Sequence, residues 1–224
     1  MVSTLDERYH AVLEDVAAAA RDSGRDPTAI TTIVVTKFHP ATLVRQLAAL
    51  GAHDLGENRH QEAAAKAADT ADLGLTWHFI GQLQSNKAAS VVEYASVIHS
   101  VDRSGLVDAL EKTTAPVEVF IQLNLTEDPE RGGVREVELL QLAERVLAAP
   151  QLELRGLMAV APLGEQARPA FARVREASER LRSIAPAATD LSMGMSGDYR
   201  DAILEGATHL RIGTAITGNR PPQG

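Results

Sequence analysis

The order of elements in this chain predicts a single-domain (β/α)8 barrel, the TIM-barrel class of α/β protein. Three observations carry that expectation. Eight short runs rich in β-branched and apolar residues recur along the chain. Longer alanine-rich stretches with helical periodicity separate them. The runs are near-continuously apolar rather than alternating, as strands covered on both faces must be. Strict β-then-α order implies parallel strands joined by crossover helices. Eight strands suggest closure, and an open doubly wound sheet is the rival arrangement.

A helix over about residues 4–22 precedes the first strand. Strands are expected at 31–36, 52–55, 77–80, 97–101, 117–123, 154–160, 189–192 and 209–212, the second and seventh carrying the weakest pattern. Between them, helical spacing covers 41–50, 58–69, 84–93, 103–113, 134–149, 166–184 and 198–206. Ser85, Asp102 and Ser196 stand where an N-cap side chain would bond the first free amides of a helix. Only twelve residues, GTAITGNRPPQG, follow the last strand, too few for a full helix. The N-terminal helix is therefore expected to take the eighth helix position or to cover one end. The expected organisation is one domain over 1–224, with 218–224 a frayed tail.

Composition narrows the class of function. A chain of 224 residues is long enough to bury a sizeable core. Its net charge of −8 argues against a surface built to coat nucleic acid or anionic membrane, while leaving room for one local anion site. The absence of cysteine removes disulfides, thiolate zinc sites and a cysteine nucleophile. The start, MVSTLDERYH, has no basic region followed by an apolar one, so no secretion signal is expected. No apolar run approaches the roughly 20 residues of a membrane span. The expectation is a cytoplasmic protein.

In barrels of this type, sites form at the C-terminal ends of the strands. Lys37 closes the first strand, in TIVVTK. It reads either as a solvated strand-end lysine or as a partly desolvated amine able to form a Schiff base. Asn58, in GEN after the second strand, reads as a helix cap or a ligand contact, and Glu57 as a charge near the helix start. His78 lies within the third strand, where a hydrogen-bonded core role is the commoner one; Trp77 reads as packing and Lys87 as solvated. DLSMGMSGDY and HLRIGTAI end the chain's last two strand regions, with Gly194, Ser196, Gly197, Gly213 and Thr214 near helix starts. Glycines let backbone N–H groups approach a ligand, and helix N-termini attract anions. Loops after strands seven and eight are the usual phosphate site of a barrel. Arg211, inside the last strand, needs either an acidic neighbour or a ligand acceptor. There is no G-x-S-x-G, P-loop, G-x-G-x-x-G or H-E-x-x-H motif, and no residue cluster suggests a metal.

An amine facing a phosphate cradle across a barrel mouth is what pyridoxal 5′-phosphate requires. The blocks VVTK, GENR, WHFIGQLQSNK, SVDR, RGLMAV, LSMGMSGDY and RIGTAI resemble, in order and spacing, the pyridoxal-phosphate homeostasis protein family over about residues 30–218. The third, sixth and seventh blocks are specific together. The resemblance implies a monomeric barrel like the N-terminal domain of alanine racemase. It implies a protein that binds pyridoxal phosphate in vitamin B6 and amino-acid homeostasis, without established catalytic turnover. It makes Lys37 the Schiff-base (aldimine) lysine and Ser196, Gly197, Gly213 and Thr214 the phosphate segments. It sets Arg211 against the pyridine nitrogen and Asn58, His78 and Met195 along the pocket. Phe38-His39 after the lysine, Arg131 and Thr217 depart from the usual pattern without removing any of these elements.

An arginine at the ring nitrogen keeps it unprotonated and weakens the ring as an electron sink. No catalytic residue is therefore assigned. The expected protein is a cofactor carrier that exchanges pyridoxal phosphate with apo-forms of cofactor-dependent enzymes. The rivals are a racemase-like pyridoxal-phosphate enzyme and a cofactor-free aldolase-like barrel with a Schiff-base lysine.

Overall fold

The β-branched run at Thr31–Val35 forms β1, the first of eight parallel strands that pair in sequence order and close on themselves. The others are β2 (Asp54–Glu57), β3 (Thr76–Phe79), β4 (Val97–Val101), β5 (Val117–Gln122), β6 (Leu152–Met158), β7 (Asp190–Ser192) and β8 (His209–Ile212). β1 closes the barrel against β8 with Val34 level with Ile212. The structure, a computed structural model, describes residues 3–128 and 131–219. Most of the tail expected to fray, 220–224, lies outside the described residues.

Helices α1 (Leu5–Asp22), α2 (Ala41–Ala49), α3 (His60–Asp69), α4 (Ala88–Val92), α5 (Ser104–Glu111), α6 (Leu139–Leu147), α7 (Ala167–Leu181), α8 (Tyr199–Leu204) and α9 (Thr214–Thr217) surround the strands. α1 begins with a capping box between Thr4 and Glu7 and buries Tyr9, Val12, Val16, Ala19 and Ala20. It packs on α8 and α9. Arg8 donates to the Ile216 carbonyl at 2.8 Å, and the Tyr199 hydroxyl donates to Asp15 at 2.5 Å. The N-terminal helix thus covers the ground that the one-turn α9 is too short to fill.

Some boundaries and caps differ from the sequence expectation. β2 lies two residues later than expected, because Ala52 still bonds back to Leu47 in the turn that ends α2. β6 starts at Leu152, which pairs with Val117. None of the three expected caps closes a helix. Gln84 precedes the short 3-10 turn at Ser85–Lys87. Asp102 bonds Arg103 at 2.6 Å and accepts from the Gly133 amide. The Ser196 hydroxyl accepts from the Ala215 amide, while Asp198 stands at the cap position of α8.

The main apolar core lies between the strands and the helices, with Leu47, Leu55, Leu106, Leu110, Leu157 and Phe171 fully covered. Val97, Phe120 and Met158 form a separate small cluster. His99 stacks on Phe120 with ring centroids 4.5 Å apart, and His209 meets that phenyl ring edge-on. No helix among the described residues is long and apolar enough to cross a membrane.

Candidate cofactor site at the C-terminal mouth

Because β1 and β8 are parallel neighbours in register, the loops after them leave the barrel at the same end. Lys37 stands two residues past β1, partly exposed, with no hydrogen-bond or ion-pair partner among the described residues. The backbone around it is held firmly. Thr36 donates its amide to the Gly56 carbonyl at 3.1 Å and its hydroxyl to Glu57 at 2.7 Å. Lys66 on α3 donates to the Thr36 carbonyl at 2.7 Å and pairs with Glu57. Phe38 then takes a positive φ of 68°, unusual for a bulky side chain. Its amide donates to Glu62 at 3.0 Å, and Arg59 sits 5.0 Å from its ring centre.

Glu57 is therefore not the exposed helix-start charge that its position in GEN suggests. It is 1% exposed, and burial raises its carboxyl above the ordinary range against the opposing pull of Lys66. Its Oε2 has no partner among the described residues.

Beside the end of β1, the loops after β7 and β8 meet. Gly194 has φ 94°, and a Cβ there would stand 2.7 Å from the Ala202 methyl, so only glycine lets this loop lie on α8. Met195 donates its amide to Asp198 at 2.6 Å, and its half-exposed side chain lies on the rim. The Ala215 amide donates to the Ser196 hydroxyl at 3.3 Å and ties the two loops together. The backbone N–H groups of Ser196, Gly197, Gly213 and Thr214 have no partner among the described residues. Unpaired amides gathered in two adjacent turns make a concavity suited to an anion. At Gly197 an added Cβ would meet nothing within 4 Å, so the rim is open there.

Arg211 is 4% exposed and finds its acceptors without a carboxylate. Nη1 donates to the Ser192 carbonyl and hydroxyl, both at 2.6 Å, and Nη2 donates to the Ala159 carbonyl at 2.8 Å. Burial lowers its pKa to about 10, partly offset by the field of Asp198. The guanidinium stays charged at neutral pH. Of its five N–H groups, the Nε donor and one Nη2 donor are not used by these contacts.

Asn58 follows β2, and its buried Oδ1 has no partner among the described residues. A Cβ on Gly81 would stand 2.3 Å from the Asn58 carbonyl, so this glycine lets the loop after β3 pack beside it. Lys87 is exposed and Trp77 buried. His78 spends both ring nitrogens inside the protein, on Asp54 at 3.0 Å and on His99 at 2.9 Å. Sequence reasoning did not single out Asp54, Lys66, His99 or Ser192. The available signal was a polar residue inside an apolar strand, as His99 is in VIHSV.

Two histidines of the barrel interior, buried His99 and partly buried His209, set an acid limit. Burial drives His99 well below the ordinary histidine value, aided by the charges of His78, Arg211 and His209. Burial lowers His209 to about 4, with Asp190 opposing. Both folded pKa values lie below those of the unfolded chain, so the unfolded chain takes up the protons first. Stability is complete above the unfolded value near 6.5 and falls as pH drops, for His209 until about 4. The expected loss is about 1.4 kcal/mol per pH unit for each proton. Urea unfolding at pH 7.5, 6.0 and 5.0 measures it, and His209→Leu should flatten the slope by one proton.

The alanine racemase N-terminal domain family model matches residues 13–221. The chain is 42% identical to the pyridoxal phosphate homeostasis protein of Pseudomonas aeruginosa, over 98% of this chain and 97% of that one. It is 39% identical to the protein of that name from Escherichia coli K12, over 93% and 94%. The structure of PipY from Synechococcus elongatus with PLP bound superimposes with a TM-score of 0.78 at 38% identity, covering 92% of this chain and all of that one. Alanine racemase from Corynebacterium glutamicum shares the fold, with a TM-score of 0.71 at 18% identity, over 96% of this chain and 62% of that one. By its barrel and its near full-length match to these relatives, the chain belongs to the pyridoxal phosphate homeostasis protein family.

Proposed function

We propose that this chain binds pyridoxal 5′-phosphate at the mouth of its barrel and holds it for intracellular vitamin B6 homeostasis. One observation carries the reading: the Lys37 amine and four unpaired backbone N–H groups lie at the same end of adjacent elements. PLP in the homologous PipY structure supports it.

The residues fit the group. Ser196, Gly197, Gly213 and Thr214 offer amides to a phosphate, and Ser196 adds a hydroxyl. Lys37 offers an uncommitted amine that condenses with an aldehyde and releases water. Arg211 has donors left for an aromatic nitrogen, and Asn58 Oδ1 is left to accept from a ligand hydroxyl. When bound, the cofactor supplies an aldehyde and an electron-withdrawing ring.

Arg211 keeps its charge, so it donates to the ring nitrogen and never receives that proton. The ring is then a weak electron sink, which favours storage over turnover. Every element of the site comes from one chain, so a monomer is sufficient for binding. An open rim at Gly197 suits exchange with apo-enzymes in the cytoplasm.

Reconstitution tests this. The purified protein should take up one equivalent of pyridoxal 5′-phosphate and turn yellow. Inorganic phosphate should compete, and pyridoxal without the phosphate should bind at least about tenfold more weakly, a difference of about 1.4 kcal/mol. Equal affinity for the two aldehydes would exclude the amide cradle. Rapid exchange of the Cα proton of added amino acids would favour the racemase-like alternative.

A further inference from the structure

A continuous hydrogen-bonded chain crosses the interior of the barrel and ends on Arg211. Asp54 Oδ1, at the start of β2 and partly exposed, lies 3.0 Å from His78 Nε2. His78 Nδ1 lies 2.9 Å from His99 Nε2, and His99 Nδ1 lies 2.8 Å from the Ser192 hydroxyl. That hydroxyl is 2.6 Å from Arg211 Nη1. The members stand on β2, β3, β4, β7 and β8, so the chain links the N-terminal end of the barrel to its mouth.

The two ends determine its polarity. A carboxylate only accepts and a guanidinium only donates. Asp54 therefore takes the proton on His78 Nε2, and a neutral His78 then has Nδ1 free only as an acceptor. His99 must donate from Nε2, which leaves its Nδ1 to accept from the serine. The serine oxygen in turn accepts from Arg211. Every donor meets an acceptor in one arrangement only. Burial keeps His99 neutral, so it responds to a change at either end by switching tautomer rather than charge.

We propose that Asp54, His78, His99 and Ser192 are positioning residues for Arg211, which hold its guanidinium in one orientation through this single-polarity chain. The proposal rests on the reading above that Arg211 faces the ring nitrogen of the cofactor. His78 acts through His99 and Ser192 instead of touching the ligand.

The charged and titratable groups facing the chain are few. His209 on β8 faces both His78 and His99. Asp190 on β7 and Arg155 on β6 act on His209, Tyr9 on α1 feels Asp54, and Asp198 acts on Arg211.

Nitrogen-15 NMR of the histidines in the ligand-free protein at pH 8 reads the polarity directly. His78 and His99 should both carry the proton on Nε2. A proton on Nδ1 of either overturns the chain. Binding then reads its purpose, using pyridoxal 5′-phosphate and the analogue with C–H in place of the ring nitrogen. The unmodified protein should prefer the former by about tenfold. Ser192→Ala, and separately Asp54→Ala at the exposed end, should reduce that preference to about threefold or less while leaving inorganic phosphate competition unchanged. Full preference in both variants overturns the positioning role and spares the reading of Arg211. Equal binding of the two ligands by the unmodified protein overturns that reading of Arg211, and the proposal with it.

Discussion

Lys37→Ala should bind pyridoxal 5′-phosphate without the visible absorbance of a Schiff base and roughly a hundredfold more weakly, a loss of about 2.8 kcal/mol. The covalent bond needs an amine that is free to react. Among the described residues, Lys37 has no competing partner, whereas the Lys66 ammonium is committed to Thr36 and Glu57. The residual binding should come from the amides at Ser196, Gly197, Gly213 and Thr214, which the substitution does not touch. Inorganic phosphate should therefore still compete in the variant. Lys87→Ala removes an exposed lysine in the turn after β3 and should leave spectrum and affinity unchanged. A Lys37→Ala protein with the spectrum of the parent would show that another lysine carries the bond.

The second large effect is expected on stability, at the buried pair behind Lys37. Lys66→Met leaves the Glu57 carboxylate buried with the Thr36 hydroxyl as its remaining partner. Breaking a buried pair on one side costs about 3–5 kcal/mol, because an uncompensated charge stays in the interior. Burial already raises the Glu57 pKa, and loss of the ammonium raises it further. A raised folded pKa means that the penalty is small at low pH, where the carboxyl is neutral, and grows as pH rises through that value. Urea unfolding should show the largest deficit near pH 8 and a smaller one near pH 5.5. Glu57→Leu combined with Lys66→Met should recover most of the loss, since replacing both partners by apolar groups is often neutral. Lys66 also holds the Thr36 carbonyl, so the single variant should form its adduct more slowly as the backbone before Lys37 loosens.

The barrel was legible because its signals are local. β-branched runs such as TTIVV and alanine-rich stretches such as HQEAAAKAAD announce strands and helices without reference to the rest of the chain. That Lys37 and the glycines around Gly197 and Gly213 share one end of the barrel was legible for a related reason. A barrel puts strand ends at one mouth, so order along the chain already states proximity.

The polar interior was not legible. His78 and His99 are 21 residues apart, and Ser192 is 93 residues from His99. Nothing local in VIHSV or DLS says that they touch, since that depends on which strands face each other across a closed sheet. Lys66 sits in an alanine-rich helix whose pattern reads as a solvated face, yet it points inward because Glu57 waits there. The three expected caps failed likewise, because Ser85 accepts from Arg103, Asp102 from the Gly133 amide and Ser196 from the Ala215 amide, partners that lie far along the chain.

The most direct test of the central claim is peptide mapping of the holo-protein after borohydride reduction. The reduced pyridoxyl group should sit on the peptide that contains Lys37, at one equivalent per chain, and an excess of inorganic phosphate during loading should lower its yield. A modification carried by Lys66 or Lys87, or a protein that reduction leaves unlabelled after loading, would contradict the assignment of this mouth as the cofactor site.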